Sequence, residues 1–96
     1  MKPRKTLSAK QCRRMRAAIN GEARRYRRCL ALVPHIPPEV VDAGMELFGD
    51  EAAVALWLCE PARALSGKIP IRVAQPAAGA MKVKEILRAI THGVYL

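Results

Sequence analysis

His35 and His92 are the only histidines of the 96-residue chain, and near neutral pH they are the side chains best suited to move a proton. Neither has a hydroxyl, thiol or carboxylate at the spacing of a nucleophile–base motif. No His-x-x-x-His pair and no Gly-rich phosphate loop accompanies them. The adjacent acids Asp50 and Glu51 stand where a helix is expected to begin, and there a carboxylate complements the positive helix end instead of cycling a proton. The cysteines Cys12, Cys29 and Cys59 are odd in number and widely separated, with no Cys-x-x-Cys pair. That spacing argues against a zinc site, and each reads as a small hydrophobe in a reducing compartment. The chain is expected to hold no catalytic residue, no metal and no cofactor. Its chemistry is expected to be binding.

Three groups of residues suit binding. The sole tryptophan, Trp57, is either a core anchor between helices or an interface hot spot. The end of the chain, His92-Gly93-Val94-Tyr95-Leu96, either folds back on the core or stays out as an apolar, aromatic hook. The third group is cationic. Residues 1–38 hold eleven bases against the single acid Glu22, whereas residues 39–96 hold six bases and seven acids. Arg13, Arg14, Arg24, Arg25, Arg27 and Arg28 are the candidates to contact a phosphate backbone. The alternatives are docking on an acidic protein surface and a merely solvated helix face. Tyr26 is the one aromatic among them, so base stacking is poorly supported.

The elements that must position these groups read as helices throughout. Ser8 caps a helix running to about Val33, either continuous or broken at Asn20-Gly21, because Gly costs about 1 kcal/mol in a helix interior relative to Ala. Its apolar residues Cys12, Ile19, Tyr26 and Val33 recur every seven, a stripe that also suits self-association. Pro34, Pro37 and Pro38 end it and mark a seam. A second helix is expected from Pro38 to Gly49, showing Val40, Val41, Met45, Leu47 and Phe48. Asp50 caps a third, with Ala53, Val54, Trp57 and Leu58. Residues 70–74 predict one helical turn, and a last helix runs from Pro76 or Ala77 to Thr91 with Ala80, Val83, Leu87 and Ile90 on one face. Gly93 is placed for a left-handed cap. No alternating run of strand length is present. The expectation is an all-α fold: a small bundle of about four to five helices with a basic N-terminal helical arm, divided as 1–38 and 39–96.

Composition supports this. An apolar share of 51% is ample for a core, and with 4% aromatics that core must be mostly aliphatic. A domain of this size buries only about 60–65% of its unfolded surface, so a partner or a second copy would help it. No apolar run reaches the ~20 residues of a membrane span. The Arg-rich, acid-poor start also fits an organellar presequence, but the arginines continue far into the helical segment.

The second half resembles the toxin-binding domain of the Xre/MbcA/ParS antitoxins, which counter RES-domain toxins that attack NAD. Leu47-Phe48-Gly49-Asp50, Ala53, Trp57-Leu58, Pro61, Ala64-Leu65 and Gly67 carry the likeness, followed by Ile69-Pro70-Ile71, Gly79, Val83, Leu87, Ile90 and Gly93-Val94-Tyr95. Their order and spacing across residues 39–96 give it weight, since no single piece is specific. Members usually carry a helix-turn-helix module in front. The 38 residues here are short for one and show no positioning helix followed by a recognition helix. The resemblance implies a type II antitoxin, a bacterial cytoplasmic protein that is not an enzyme. It implies that the C-terminal end enters the toxin's NAD cleft, so that His92, Gly93, Val94, Tyr95 and Leu96, with Trp57, touch the toxin. The implied partners are a RES-domain toxin and operator DNA, in a homodimer or a toxin–antitoxin hetero-oligomer away from membranes. The alternative is a DNA-binding regulator or architectural protein acting through the Arg-rich helix.

Overall fold

A Ser-x-x-Gln sequence opens the first helix, α1 (Ala9–Asn20). The Gln11 N–H donates to Ser8 Oγ at 3.1 Å, and the Ser8 N–H donates to Gln11 Oε1 at 3.3 Å. This reciprocal pair satisfies two of the donors that a helix start leaves open. The computed structural model describes residues 6–20 and 24–93, and side chains over 6–20 and 28–93. Met15 and Ile19, four residues apart on one face of α1, are buried. The helix stops at Asn20, just before Gly21. From Arg24 to His35 the chain winds as a 3₁₀ helix instead of continuing the α-helix to Val33. Pro34, which lacks the N–H of an α-helical ladder, lies near the end of this segment.

The next two helices follow their local signals closely. Helix α2 (Pro38–Phe48) begins on a proline, where the missing N–H is harmless. It ends at Gly49, whose φ of 72° lies in the left-handed region and whose N–H donates to the Met45 carbonyl at 2.9 Å. Asp50 then caps α3 (Glu51–Leu58), its Oδ2 accepting from the Ala53 N–H at 3.2 Å. Only Glu51 is charged in α3, and the remaining positions are Ala, Val, Leu and Trp. A helix with so little polar face must be covered on several sides. α1 covers one side and α2 another.

Beyond Pro61, a 3₁₀ turn at Arg63–Leu65 is closed by the isolated bridge between Ala62 and Lys68. Residues Pro70–Val73 form the single helical turn α4, and α5 spans Ala77–Thr91. Ala80, Val83, Ile86 and Leu87 bury one side of α5, which packs mainly on α2. Ile90 is only half-buried, so Ile86 takes a core place that the expected stripe did not include. A Cβ on Gly79 would collide with the Val73 carbonyl oxygen, so this glycine lets α5 pass close to α4. Among the described residues the fold is all-α, with nothing strand-like beyond the Ala62–Lys68 bridge.

One core crosses the proline seam. Leu7, Met15, Ile19, Cys29, Val33 and Ile36 belong to the same buried cluster as Val40, Val54, Leu58, Ile71 and Leu87. The radius of gyration is 12.4 Å. A compact domain of this length gives about 12.5 Å, so α1 lies against the body and does not stand off it. Ile19 and Val33, two members of the heptad stripe, are fully buried in the chain's own core and are not free to pair with a second copy.

Candidate partner-binding surface

The C-terminal end is positioned by α5. Four buried residues anchor that helix, and Thr91 Oγ1 donates back to the Leu87 carbonyl at 2.9 Å in its last turn. His92 is exposed, and its N–H donates to the Arg88 carbonyl at 3.1 Å. The Gly93 N–H donates to the Ile90 carbonyl at 2.9 Å, with φ at 80° in the left-handed region. That cap turns the chain out of the helix at the foot of the expected tail. Val94, Tyr95 and Leu96 lie outside the described residues.

Trp57 is half-buried and packs against the core cluster. It sits on α3, which packs on α1, α2 and α4, and α5 packs on α2 and α4. Trp57 and His92 are thus borne by helices that share α2 and α4 as neighbours. Phe48, expected on the apolar side of α2, is 38% exposed, and Met81 on α5 is 61% exposed. His35 is also exposed.

The arginines separate into different roles. Arg14 Nη1 sits 3.0 Å from Glu51 Oε2, tying α1 to the start of α3 across 37 residues of sequence. Glu51 is only 17% exposed, so it gains from the counter-charge as well as from its place at the helix start. Arg13 and Arg28 are exposed, as are Lys10 and Arg16 on α1. The described residues place no carboxylate at ion-pair distance from any of these four. Arg24, Arg25 and Arg27 have side chains outside the described set.

The near-neutral second half conceals a segregation that its overall sum hides. From Glu39 to Glu60 every charged residue is an acid, six in all. From Pro61 to Lys84 every charged residue is a base: Arg63, Lys68, Arg72, Lys82 and Lys84. The acidic stretch is partly engaged inside the fold, Glu51 by Arg14, and Asp42 and Glu60 are not free either. The five bases have no ion-pair partner among the described residues. Lys68 and Arg72 also border an open cleft of about 400 Å³, with Gly67, Ile69 and Val73 as its other walls. Counting charge in windows of about twenty residues, not by halves, is the signal that finds this surface.

Cysteine chemistry is muted. Cys29 and Cys59 are buried free thiols and Cys12 is half-buried. Burial pushes the Cys59 thiol far above its ordinary range, and the neighbouring Cys29 adds to the shift, so the nucleophilic thiolate is suppressed at neutral pH. Among the described residues no group of three His, Cys, Asp or Glu side chains could hold a metal, and no helix is long and apolar enough to cross a membrane. No polar or charged side chain is buried among them.

The described residues thus form a small all-α fold with an apolar interior and oppositely charged runs along its second half. The antitoxin Xre/MbcA/ParS C-terminal toxin-binding domain matches residues 43–93, just over half of the chain, and the chain belongs to that family. The match begins inside α2 and takes in α3, α4 and α5. It thus marks the molecule as carrying the toxin-binding antitoxin domain of a toxin–antitoxin system. No curated protein and no solved structure matches the chain.

Proposed function

We propose that this protein neutralises a RES-type, NAD-consuming toxin by covering its active site with the C-terminal domain and the tail from His92 to Leu96. The observation that carries the reading is the family match over residues 43–93, and the left-handed Gly93 at the end of α5 is compatible with it. Tyr95 supplies a large rigid surface with one polar tip, suited to filling a nucleotide cleft. Trp57 contributes to the same interface from α3. The protein acts without catalysis, in the bacterial cytoplasm, as a homodimer or a toxin–antitoxin hetero-oligomer. Residues 1–38 serve as a basic segment distinct in function from residues 39–96.

The test is deletion of residues 92–96, followed by assay of NAD consumption by the product of the adjacent reading frame. Loss of inhibition with retained folding supports the plug. Undiminished inhibition refutes it.

A second reading is favoured by α1, where Lys10, Arg13 and Arg16 are exposed. These exposed cations suit a phosphate backbone, operator DNA included, and Arg24, Arg25, Arg27 and Arg28 are further candidates by sequence. Arg14 contributes less, because Glu51 already holds it. Affinity for a duplex should then fall steeply between low and moderate salt. Absence of duplex binding at low salt eliminates this reading.

A further inference from the structure

We propose that the cleft beside α4 is a docking site for an acidic segment of the toxin, separate from the tail: Lys68 and Arg72 take a carboxylate, and Ile69 and Val73 the apolar side chain beside it. The proposal rests on the antitoxin reading above and adds a second point of contact to it.

Charge complementarity selects the occupant. Lys68 and Arg72 lie in a stretch, Pro61 to Lys84, that contains five bases and no acid. Within the described residues neither has an ion-pair partner, and both are exposed. Six of the seven acids of residues 39–96 lie in the preceding stretch, where Glu51 is held by Arg14 and Asp42 and Glu60 are not free; the seventh, Glu85, follows Lys84 on α5. Among the described residues, the five bases have no carboxylate at ion-pair distance. Lys68 and Arg72 both line the cleft, and a carboxylate is the group that Arg binds in a fork and Lys as a point charge.

The walls favour a protein over a nucleic acid. Ile69 and Val73 are half-buried and packed against the core, so they present fixed apolar surface to the cleft. A phosphate backbone has no apolar group to place there, whereas an acidic residue followed by an aliphatic one has both. The site is also held in place. Lys68 is tied by the Ala62–Lys68 bridge, the Ala62 N–H donating to the Lys68 carbonyl at 3.1 Å. α4 is set against α5 by the close passage of Gly79 past Val73. A backbone already held in place has less conformational freedom to lose on binding.

The experiment is a calorimetric titration of the full chain with the product of the adjacent reading frame, at low and moderate salt. The double variant Lys68→Glu/Arg72→Glu should bind at least tenfold more weakly than the parent, with a smaller salt dependence, while Arg72→Lys retains most of the affinity. Circular dichroism should be unchanged, since both side chains are exposed. Equal binding by the parent and the double variant overturns the docking site and leaves the tail plug standing. No binding by the parent overturns both. An equal loss in Lys10→Glu/Arg13→Glu overturns the site as well, because affinity then follows net charge and not the cleft. A double variant that keeps the toxin but loses a 20-base-pair DNA duplex reassigns the surface to nucleic acid and overturns the proposal.

Discussion

Residues 39–60 and 61–84 carry opposite charge and meet opposite fates. The first is all acid where it is charged, and it lies in the middle of the fold: α2 packs on α5, and α3 is covered by α1 and α2. Its Glu51 is held by an arginine from outside the family match. The second is all base where it is charged and is built from short turns and the start of α5; Arg63, Lys68, Arg72 and Lys82 are exposed and Lys84 is half-buried. The N-terminal segment therefore has two uses for its positive charge. Part of it completes the acidic stretch, and part remains on the surface with the bases of the second stretch. Neutrality of the whole domain conceals this division, which is what leaves a basic rim available to a partner.

The strongest test of the comparison strikes the acidic stretch where it meets α1. Leu58 is fully buried on α3, and Leu58→Ala should lower stability by about 2–5 kcal/mol, read as a fall in the denaturation midpoint. Striking the basic stretch instead, Gly79→Ala drives a methyl into the Val73 carbonyl and should lower stability by about 1–3 kcal/mol. A single cooperative transition in both variants shows that the stretches fold as one unit; two transitions in Gly79→Ala would show that α4 and α5 separate from the rest. A smaller effect, about 1 kcal/mol, is expected for Asp50→Ala, which removes the cap of α3. The smallest is Arg14→Ala. Its side chain is 54% exposed, so the pair with Glu51 should contribute about 0–1 kcal/mol and fade with added salt.

The thiols sharpen the same contrast between inside and outside. Cys59 has its folded pKa raised above the ordinary value of 9.0. Its contribution to stability is therefore fully present below that value and is lost as pH climbs above it. Alkylation at pH 8 should label Cys12 well before Cys29 and Cys59, read by mass spectrometry. Equal rates at all three sites would mean that the 3₁₀ segment opens readily in solution.

Much of the fold was legible residue by residue. Ser8, Gly49, Asp50 and Gly93 mark helix ends where a cap needs only partners three or four positions away, and each forms the cap its type suggests. The single helical turn at Pro70–Val73 was legible for the same reason. The 3₁₀ winding of Arg24–His35 was not, because Cys29, Val33 and neighbouring Ile36 are buried in one core, a demand that local propensity does not contain. On the candidate surface, the place of His92 and Gly93 was legible from the end of a periodic helix. The exposure of Phe48 was not, because an apolar residue at a helix end is covered or left open by whatever packs beside it.

By itself the sequence determined an all-α chain with helices starting and stopping at named caps, an aliphatic core, an Arg-rich beginning and an order of residues that marks the antitoxin family. These follow from short-range rules: capping, helical periodicity and composition. Only the tertiary structure decided that α1 closes over α3, that Arg14 is held by Glu51 while Arg13 is not, and that Lys68 and Arg72 share a cleft with Ile69 and Val73. The reason is range. Which cation finds a carboxylate 37 residues away, and which is left for a partner, depends on how helices stack, and no local pattern in the chain encodes that choice.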